Sequence, residues 1–406
     1  MKQKNDMKIF LVITTLHYLA ANFAHPFTPT LIKNLGLNDY MFGIMFASMA
    51  FTNFLFSPFW GKLRDYFEPR KLLAIGCFGY ALGQIFFSIA ATEVTIVFAR
   101  CFSGIFTGAV NVSTLVYVTD TSEEGHIGKN LAKLAILNSL GAAFGYLIGG
   151  VMGTVSITLT FMLQSGTLVL CGILYLCLLK KDKGGEREKI SVRIIGREAN
   201  PLMAFINCRF FMTKKFVILF IAVLFANLGT NAFDQCFNYY LKDQFQLSSA
   251  YNGVIRAATG IITLIANSTI CMWIMKKSKI KRPTAAVLLC CAVSIASMLF
   301  VEKLPMFIAV CIVFFAFNAI YIPLLQDCVV RETDKDGNLV MGFYNAVKSM
   351  GMIGGALVAG GIYGIGEKLP FVFAAICFTL AAVLLGVRWI KTGSAAGKIN
   401  KAEPVK

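Results

Sequence analysis

The run LTFMLQSGTLVLCGILYLCLL, residues 159–179, contains no charged side chain. A helix needs about 20 apolar residues to cross a hydrocarbon core that is about 30 Å thick, so this run predicts a membrane-spanning helix. Similar runs recur along the whole chain and bring the predicted number of spans to twelve. The other eleven lie at residues 9–32, 41–60, 72–91, 95–118, 132–153, 215–241, 250–275, 284–301, 305–329, 340–364 and 370–390.

The composition agrees with lipid as the solvent of this chain. Of 406 residues, 57% are hydrophobic and only 15% are charged, whereas soluble domains carry about 45–50% apolar and about 25% charged residues. We therefore expect an all-α membrane protein with twelve transmembrane helices. The first apolar run is longer than the core of a signal peptide, which has about 7–15 residues, and is interpreted as a span that is retained.

The longest polar connection separates six spans from six spans and contains KKDKGGEREK, residues 180–189. Spans five and eleven occupy equivalent places in the two halves and are both rich in glycine, which suggests a parallel repeat. We predict four parts along the chain. They are an N-terminal six-helix bundle over 1–179, a cytoplasmic basic linker over 180–214, a C-terminal six-helix bundle over 215–391 and a cytoplasmic tail over 392–406.

The formal net charge of +17 could suggest a nucleic-acid partner, but the location of the charge argues against one. Lysine and arginine concentrate in alternate loops and in the central linker, which places those loops and both termini in the cytoplasm. We therefore expect a multi-pass protein of the cell (plasma) membrane. The basic linker either lies along anionic lipid headgroups or is a solvated loop. The loops predicted to lie outside hold only Lys33, Lys242, Lys303 and Lys368.

Several chemical functions lack their usual signals. The twelve cysteines form no CxxC pair, and no histidine cluster has the spacing of metal ligands. The chain also contains no Walker loop and no GxSxG motif. We expect no metal, no cofactor, no direct use of ATP and no enzymatic activity.

The loop between spans two and three reads GKLRDYFEPRKLL and is the most specific string in the chain. Its glycine lets two helix ends approach closely, its aspartate can cap the next helix or pair with a basic group across the bundle, and its basic pair holds the loop at the cytoplasmic face. The string resembles the signature loop of the major facilitator superfamily. The matched positions are Gly61, Leu63, Asp65, Arg70 and Lys71.

This resemblance implies the major facilitator fold, with two six-helix bundles. It also implies that the loop latches the two halves on the cytoplasmic side when the transporter faces outward. Pro69 stands where the family usually has glycine, which would stiffen the turn.

Span four contains RCFSGIFTGA, in which Arg100, Gly104 and Gly108 resemble the arginine-plus-glycine motif of the same family. An arginine within a membrane costs about 2.5–3.5 kcal/mol on insertion scales, so by default it faces a cavity or a partner. The resemblance implies a part in proton relay. The alternative is a structural arginine that extends to the outer face.

Span five contains GAAFGYLIGG, with Gly141, Gly145, Gly149 and Gly150. The run resembles a motif of drug–proton antiporters, although Tyr146 replaces the usual proline. Small residues at this spacing also let two helices touch backbone to backbone, so a general packing seam is the alternative interpretation.

Polar residues cluster in span seven. Asn227, Asn231 and Asp234 share one helix face, and Gln235 lies beside them. We expect Arg256 of span eight to lie at a similar depth to Asp234 and to form an ion pair with it. That pair would be either a structural lock or a proton-coupling site.

Other polar groups supply further candidates. We expect Asp327 of span ten either to pair with Lys348 of span eleven or to be a plain interfacial charge. Span one carries no acid but offers His17, Asn22 and His25. Either histidine could take the proton, because histidine titrates near physiological pH, or could be a hydrogen-bonded packing group. The candidates for the substrate cavity are Asn22, Asn227, Asn231 and Gln235.

We predict a secondary transporter of the twelve-helix drug:proton antiporter type, which exports small, often hydrophobic molecules by alternating access. Its partners would be the small-molecule substrate, protons and the lipid bilayer, and it would act as a monomer. The alternative is a proton-coupled importer or a facilitator of a sugar, nucleoside or organic acid. A more remote alternative is a membrane sensor or scaffold that does not transport.

Overall fold

The computed structural model describes residues 2–122, 126–179, 200–277, 280–333 and 337–399. This part of the chain contains twelve helices that are long and apolar enough to cross a membrane. The predicted all-α membrane fold with twelve spans is confirmed. Most of the predicted linker, residues 180–199, lies outside the described residues, as does the end of the predicted tail.

Ten of the spans are single α-helices that begin within a few residues of the predicted runs. In chain order they are Met41–Leu63, Pro69–Ile89, Glu93–Thr121, Ile127–Val155, Ile157–Leu178, Lys214–Asp243, Lys281–Met298, Leu304–Arg331, Gly337–Tyr363 and Leu369–Ile399. Between spans six and seven the structure also has a short helix, Met203–Asn207, followed by a 3-10 turn at Cys208–Phe210.

Spans one and eight are interrupted. Span one consists of an α-helix at Lys2–Ala21, a 3-10 turn at His25–Phe27 and an α-helix at Thr28–Asn34. Pro26 and Pro29 are the second residues of the last two segments, and the missing N–H of proline explains the break in the helical hydrogen-bond ladder. Span eight changes from α-helix to π-helix at Asn267–Cys271 and ends with Met272–Met275.

The chain divides into two compact units. The first comprises Met1–Met203 and Phe237–Ile261, and the second comprises Ala204–Cys236 and Ile262–Lys406. The end of span seven and the start of span eight therefore pack with spans one to six. The predicted division into bundles at residues 180–214 stays a prediction.

Buried aromatic and aliphatic side chains fill the core of the first unit. Phe10 of span one stacks on Tyr117 of span four with ring centroids 4.2 Å apart. The Thr14 and Tyr175 hydroxyls are hydrogen-bonded at 2.9 Å and satisfy two polar groups in this core. Burying such groups without partners would destabilise the fold.

Glycines on span five let its backbone contact span one directly. A Cβ atom built on Gly141, Gly145 or Gly149 would lie 2.7, 2.2 or 2.1 Å from a carbonyl oxygen of span one. A side chain of any size at these positions would displace the neighbouring backbone. The oxygens belong to Thr15, Leu19 and Phe23, respectively.

The second unit repeats this arrangement between spans eleven and seven. A Cβ atom on Gly351 would lie 3.0 Å from the carbonyl oxygen of Leu224, and one on Gly355 would lie 2.3 Å from that of Leu228. Spans five and eleven thus make the same kind of backbone contact with the first span of their own half.

The predicted packing glycines of span four lie against span two. A Cβ atom on Gly104 would lie 2.2 Å from the Met49 carbonyl oxygen, and one on Gly108 would lie 3.3 Å from that of Asn53. Gly150 of span five lies against the start of span eight, where its Cβ atom would be 2.6 Å from the carbonyl oxygen of Ser249.

Candidate functional site

A cavity of about 180 Å³ lies within the second unit, between spans seven, ten and eleven. Its wall combines amide, hydroxyl and apolar side chains with two ionisable groups of opposite sign. The lining residues are Asn227, Thr230, Asn231, Asp234, Tyr321, Ile322, Leu325, Tyr344, Lys348 and Met352.

The polar face of span seven forms one wall of this cavity. The side-chain amides of Asn227 and Asn231 each donate to a backbone carbonyl one turn earlier, at 2.8 and 3.1 Å. The Thr230 hydroxyl is hydrogen-bonded to the hydroxyl of Tyr321, which joins span seven to span ten. Asn227, Asn231 and Asp234 therefore reach the same cavity, as their helical spacing predicts. Gln235 does not line it.

The structure gives Asp327 a different partner from the predicted one. Its Oδ2 atom accepts from Arg331 Nε at 2.9 Å, one turn later in the same helix. Arg331 also donates to the carbonyl oxygens of Met275 and Lys277 at the end of span eight. An arginine on the same helix face reaches the carboxylate at little conformational cost, so Asp327 is bound there, whereas Lys348 lines the cavity.

Arg256 lies in the first unit among polar and aromatic groups. Its Nε atom donates to Asn238 Oδ1 at 3.0 Å. Its guanidinium carbon lies 5.9 Å from the centroid of the Tyr146 ring, and the Tyr146 ring stacks on His25 with centroids 5.6 Å apart. Tyr146, which stands in the place of a motif proline, thus lies between a histidine and an arginine. The sequence pattern did not identify it as a contact residue.

The predicted pair between Asp234 and Arg256 stays a prediction. Asp234 belongs to the second unit and Arg256 to the first.

Arg100 is buried within the first unit, with 4% of its surface exposed. Its guanidinium carbon lies 4.0 Å from the centroid of the Phe87 ring, a cation–π contact that stabilises a desolvated charge by about 2 kcal/mol. Its Nε atom has no hydrogen-bond partner in the described part of the chain. The side chain therefore faces the interior, and the alternative in which it extends to the outer face is wrong.

The other polar candidates of span one are packed in the first unit. His17 is buried, and its Nδ1 atom lies 3.5 Å from the Cys77 sulfur. Asn22 donates from its amide to the carbonyl oxygen of Tyr18 at 2.7 Å. These contacts are typical of core polar groups that are satisfied locally.

In the loop GKLRDYFEPRKLL, Asp65 pairs with Lys62 at 2.9 Å. It does not cap the following helix, since the N-cap position is Glu68 and carries no side-chain capping hydrogen bond. Leu63 packs against the apolar cluster around Trp60. Gly61 has only ordinary van der Waals contact at its Cβ position, 3.8 Å from Val112.

Charged residues of this loop connect it to other spans of the first unit. Arg64 Nη2 lies 2.6 Å from the carboxylate of Asp120 at the end of span four. Arg70 pairs with Glu68 and donates to the carbonyl oxygens of Leu176 and Leu179 at the end of span six. Lys71 lies 3.8 Å from Glu68. Neither Arg64 nor Glu68 belongs to the matched positions of the loop, although their opposite charges in one short polar segment are a signal for ion pairs.

The family of the chain follows from comparison with known proteins. The family model described as Major Facilitator Superfamily matches residues 10–338. The chain belongs to the major facilitator superfamily. It is therefore a multi-pass membrane transporter, and its family also confirms that it is not an enzyme.

Relatives of this transporter include drug-resistance proteins. It is 21% identical to "Multidrug resistance protein 2" of Bacillus subtilis, over 98% of this chain and 100% of the relative. It is 23% identical to "Quinolone resistance protein NorA" of Staphylococcus aureus, over 93% of each chain.

Solved structures of low sequence identity share the fold of this transporter. A bacterial homolog of the human lysosomal transporter Spinster has a TM-score of 0.77 and 10% identity, over 94% of this chain and 95% of that chain. The human organic anion transporter MFSD10 has a TM-score of 0.69 and 16% identity, over 95% of this chain and 100% of that chain.

An ion-pair network joins span one, the loop before span two and span seven within the first unit of this transporter. Lys33 Nζ lies 2.7 Å from Asp243 and 3.1 Å from Asp39. The Tyr239 hydroxyl donates to Asp39, and Lys33 lies over the Tyr239 ring at 5.1 Å from its centroid. Lys33 is one of four lysines in the loops predicted to lie outside, which is the only signal of this network in the sequence.

We expect Lys33 and Asp243 to stabilise the first unit jointly. Lys33→Met and Asp243→Asn should each lower the melting temperature of the purified protein in detergent, and the double variant should lower it no further than the more damaging single variant. The coupling should be about 0.2–1 kcal/mol, because partly exposed ion pairs contribute that much. Lys303→Met, at another exposed lysine, is the control and should change nothing. Fully additive effects of the two substitutions would contradict the predicted coupling.

Proposed function

We propose that this transporter exports small, often hydrophobic molecules from the cell in exchange for protons, by alternating access. The observation that carries the proposal is the cavity of the second unit, in which a carboxylate and a lysine lie beside amide and apolar side chains. The direction of transport is supported by the relatives named as multidrug and quinolone resistance proteins, which this chain matches over nearly its whole length.

Asp234 is the proposed coupling carboxylate. An ionised carboxylate within a membrane is costly unless it is paired, so its protonation state changes which conformation is favoured. In the proposed cycle, ionised Asp234 pairs with Arg256, and a proton from outside neutralises Asp234 and releases Arg256. The hydrogen bond to Asn238 and the contact with the Tyr146 ring would then hold the arginine in place.

Arg100 and His25 are proposed to assist this proton transfer from the first unit. Buried Arg100 supplies a fixed positive charge there, and His25 stacks on Tyr146 beside Arg256. The packing of His17 against Cys77 supports a structural role for that histidine.

The proposed orientation places both termini in the cytoplasm, in a plasma membrane, with the protein acting as a monomer. The signature loop would then lie on the cytoplasmic side and the Lys33 network on the outer side. The signature loop is proposed to stabilise the outward-facing state. The basic linker is proposed to contact anionic headgroups.

The direct test is a screen of compounds in cells that express the protein. Expression should lower the accumulation of at least one compound relative to cells with an empty vector, and a protonophore should abolish the difference. In proteoliposomes, outward movement of that compound should accompany inward movement of protons. Movement of compound and protons in the same direction would contradict the proposal and would favour import.

A further inference from the structure

Lys348 lies near the middle of span eleven and lines the cavity of the second unit. Its side chain is half-buried. None of the ion pairs formed by the described residues involves Lys348. An ammonium group at this depth without a counterion is unfavourable, so such a lysine marks a site for a negatively charged partner.

The two carboxylates that could serve as its partner are placed elsewhere. Asp327 is bound by Arg331 at 2.9 Å. Asp234 lines the same cavity, but its backbone lies at another depth along the helix. Gly351 of span eleven packs at the same level as Asn227 of span seven. A helix rises about 1.5 Å per residue. The backbone of Lys348 therefore lies about 4.5 Å from that level toward the start of its helix, and the backbone of Asp234 lies about 10 Å from it toward the end of its helix.

The cavity therefore carries its positive charge toward one end and its negative charge toward the other. Tyr321 and Tyr344 line its wall together with Ile322, Leu325 and Met352. Such a wall matches a molecule with an apolar body and one charged or polar end.

We infer that Lys348 binds the anionic group of the transported molecule, so that the substrates are amphipathic organic anions such as aromatic carboxylates. This inference rests on the proposed function, since it assigns a substrate class to the same cavity. The ammonium would donate a charge-assisted hydrogen bond to the carboxylate, and the aliphatic side chains would contact the ring. Asp234, at the other end, would remain the group that takes the proton.

The test uses three probes that share one ring system: 2-naphthoate, the neutral 2-naphthamide and the cationic 2-naphthylmethylammonium. Binding to the purified full-length protein is measured by titration calorimetry. Wild-type protein should bind 2-naphthoate at least about tenfold more tightly than the amide, which corresponds to about 1.4 kcal/mol.

Substitutions then locate the anion site. Lys348→Gln should remove the preference for 2-naphthoate, and Lys348→Arg should retain part of it because the charge is kept. Lys303→Gln, at an exposed lysine outside the cavity, should leave the preference unchanged. Melting temperatures show that each variant is folded before it is titrated.

Three results would overturn the inference: no measurable binding of 2-naphthoate to folded wild-type protein, an unchanged preference in Lys348→Gln, or tightest binding of the cation. A cation preference that disappears in Asp234→Asn would assign the anchor to that carboxylate. Export assays that respond to neither a pH gradient nor a protonophore contradict the proposed function, whereas the binding titrations test the charge of the ligand alone.

Discussion

Asp234→Asn is expected to reduce proton-driven export to the background level of protein-free liposomes. Asparagine retains the size of the side chain but cannot lose a proton, so an imposed pH gradient would no longer change the balance between the two conformations. Asp234 lies on a cavity wall within a membrane span, where an ionised carboxylate is costly.

The matched control for this variant is Asp327→Asn. Asp327 also lies in a membrane span, but it is bound by Arg331 and does not line the cavity. This control should retain proton-driven export. Exchange of labelled for unlabelled compound, which needs no gradient, should persist in Asp234→Asn and show that substrate still binds. Normal pH-driven export by Asp234→Asn would remove this residue from the coupling mechanism.

The second large effect is expected from Gly145→Ala and Gly355→Ala, which should both lower the melting temperature by several degrees. The added methyl group would lie 2.2 Å from the Leu19 carbonyl oxygen in the first case and 2.3 Å from that of Leu228 in the second. Backbone atoms cannot rotate away as a side chain can, so two helices must separate. Overpacking of this kind costs about 1–3 kcal/mol or more.

Gly361→Ala is the control because it lies in the same helix as Gly355 and has no described atom within 4 Å of its Cβ position. Alanine is favoured over glycine in a helix by about 1 kcal/mol, so this variant should be unchanged or slightly stabilised. Thermal melting in detergent, followed by size-exclusion chromatography, measures all three. Equal melting temperatures for the three variants would show that the close backbone contacts do not limit stability.

Local patterns predicted part of the candidate site. The i, i+4, i+7 spacing placed Asn227, Asn231 and Asp234 on one face, and the structure has all three at one cavity. The same reasoning did not find the correct environment of Lys348. The sequence gives the depth of a lysine and of an aspartate on different spans, but not the direction in which each side chain points from its helix. Asp327 binds Arg331 of its own helix instead.

The number of the spans and their approximate positions were determined by the sequence alone. The free energy of transfer of a segment from water to lipid depends on the composition of that segment, so each apolar run can be assigned to the membrane from its own residues. The loop at residues 61–73 likewise carried the family, because its glycine, aspartate and basic pair form one continuous string.

Only the tertiary structure decided which side chains meet. Lys33 contacts Asp243, Arg64 contacts Asp120 and Arg100 lies over Phe87, yet no spacing along the chain connects these residues. Apolar faces of a helix in lipid are nearly equivalent by composition, so the rotation of each span is set by close packing at small residues and by a few polar contacts between helices. Those contacts between helices exist only when the helices are assembled.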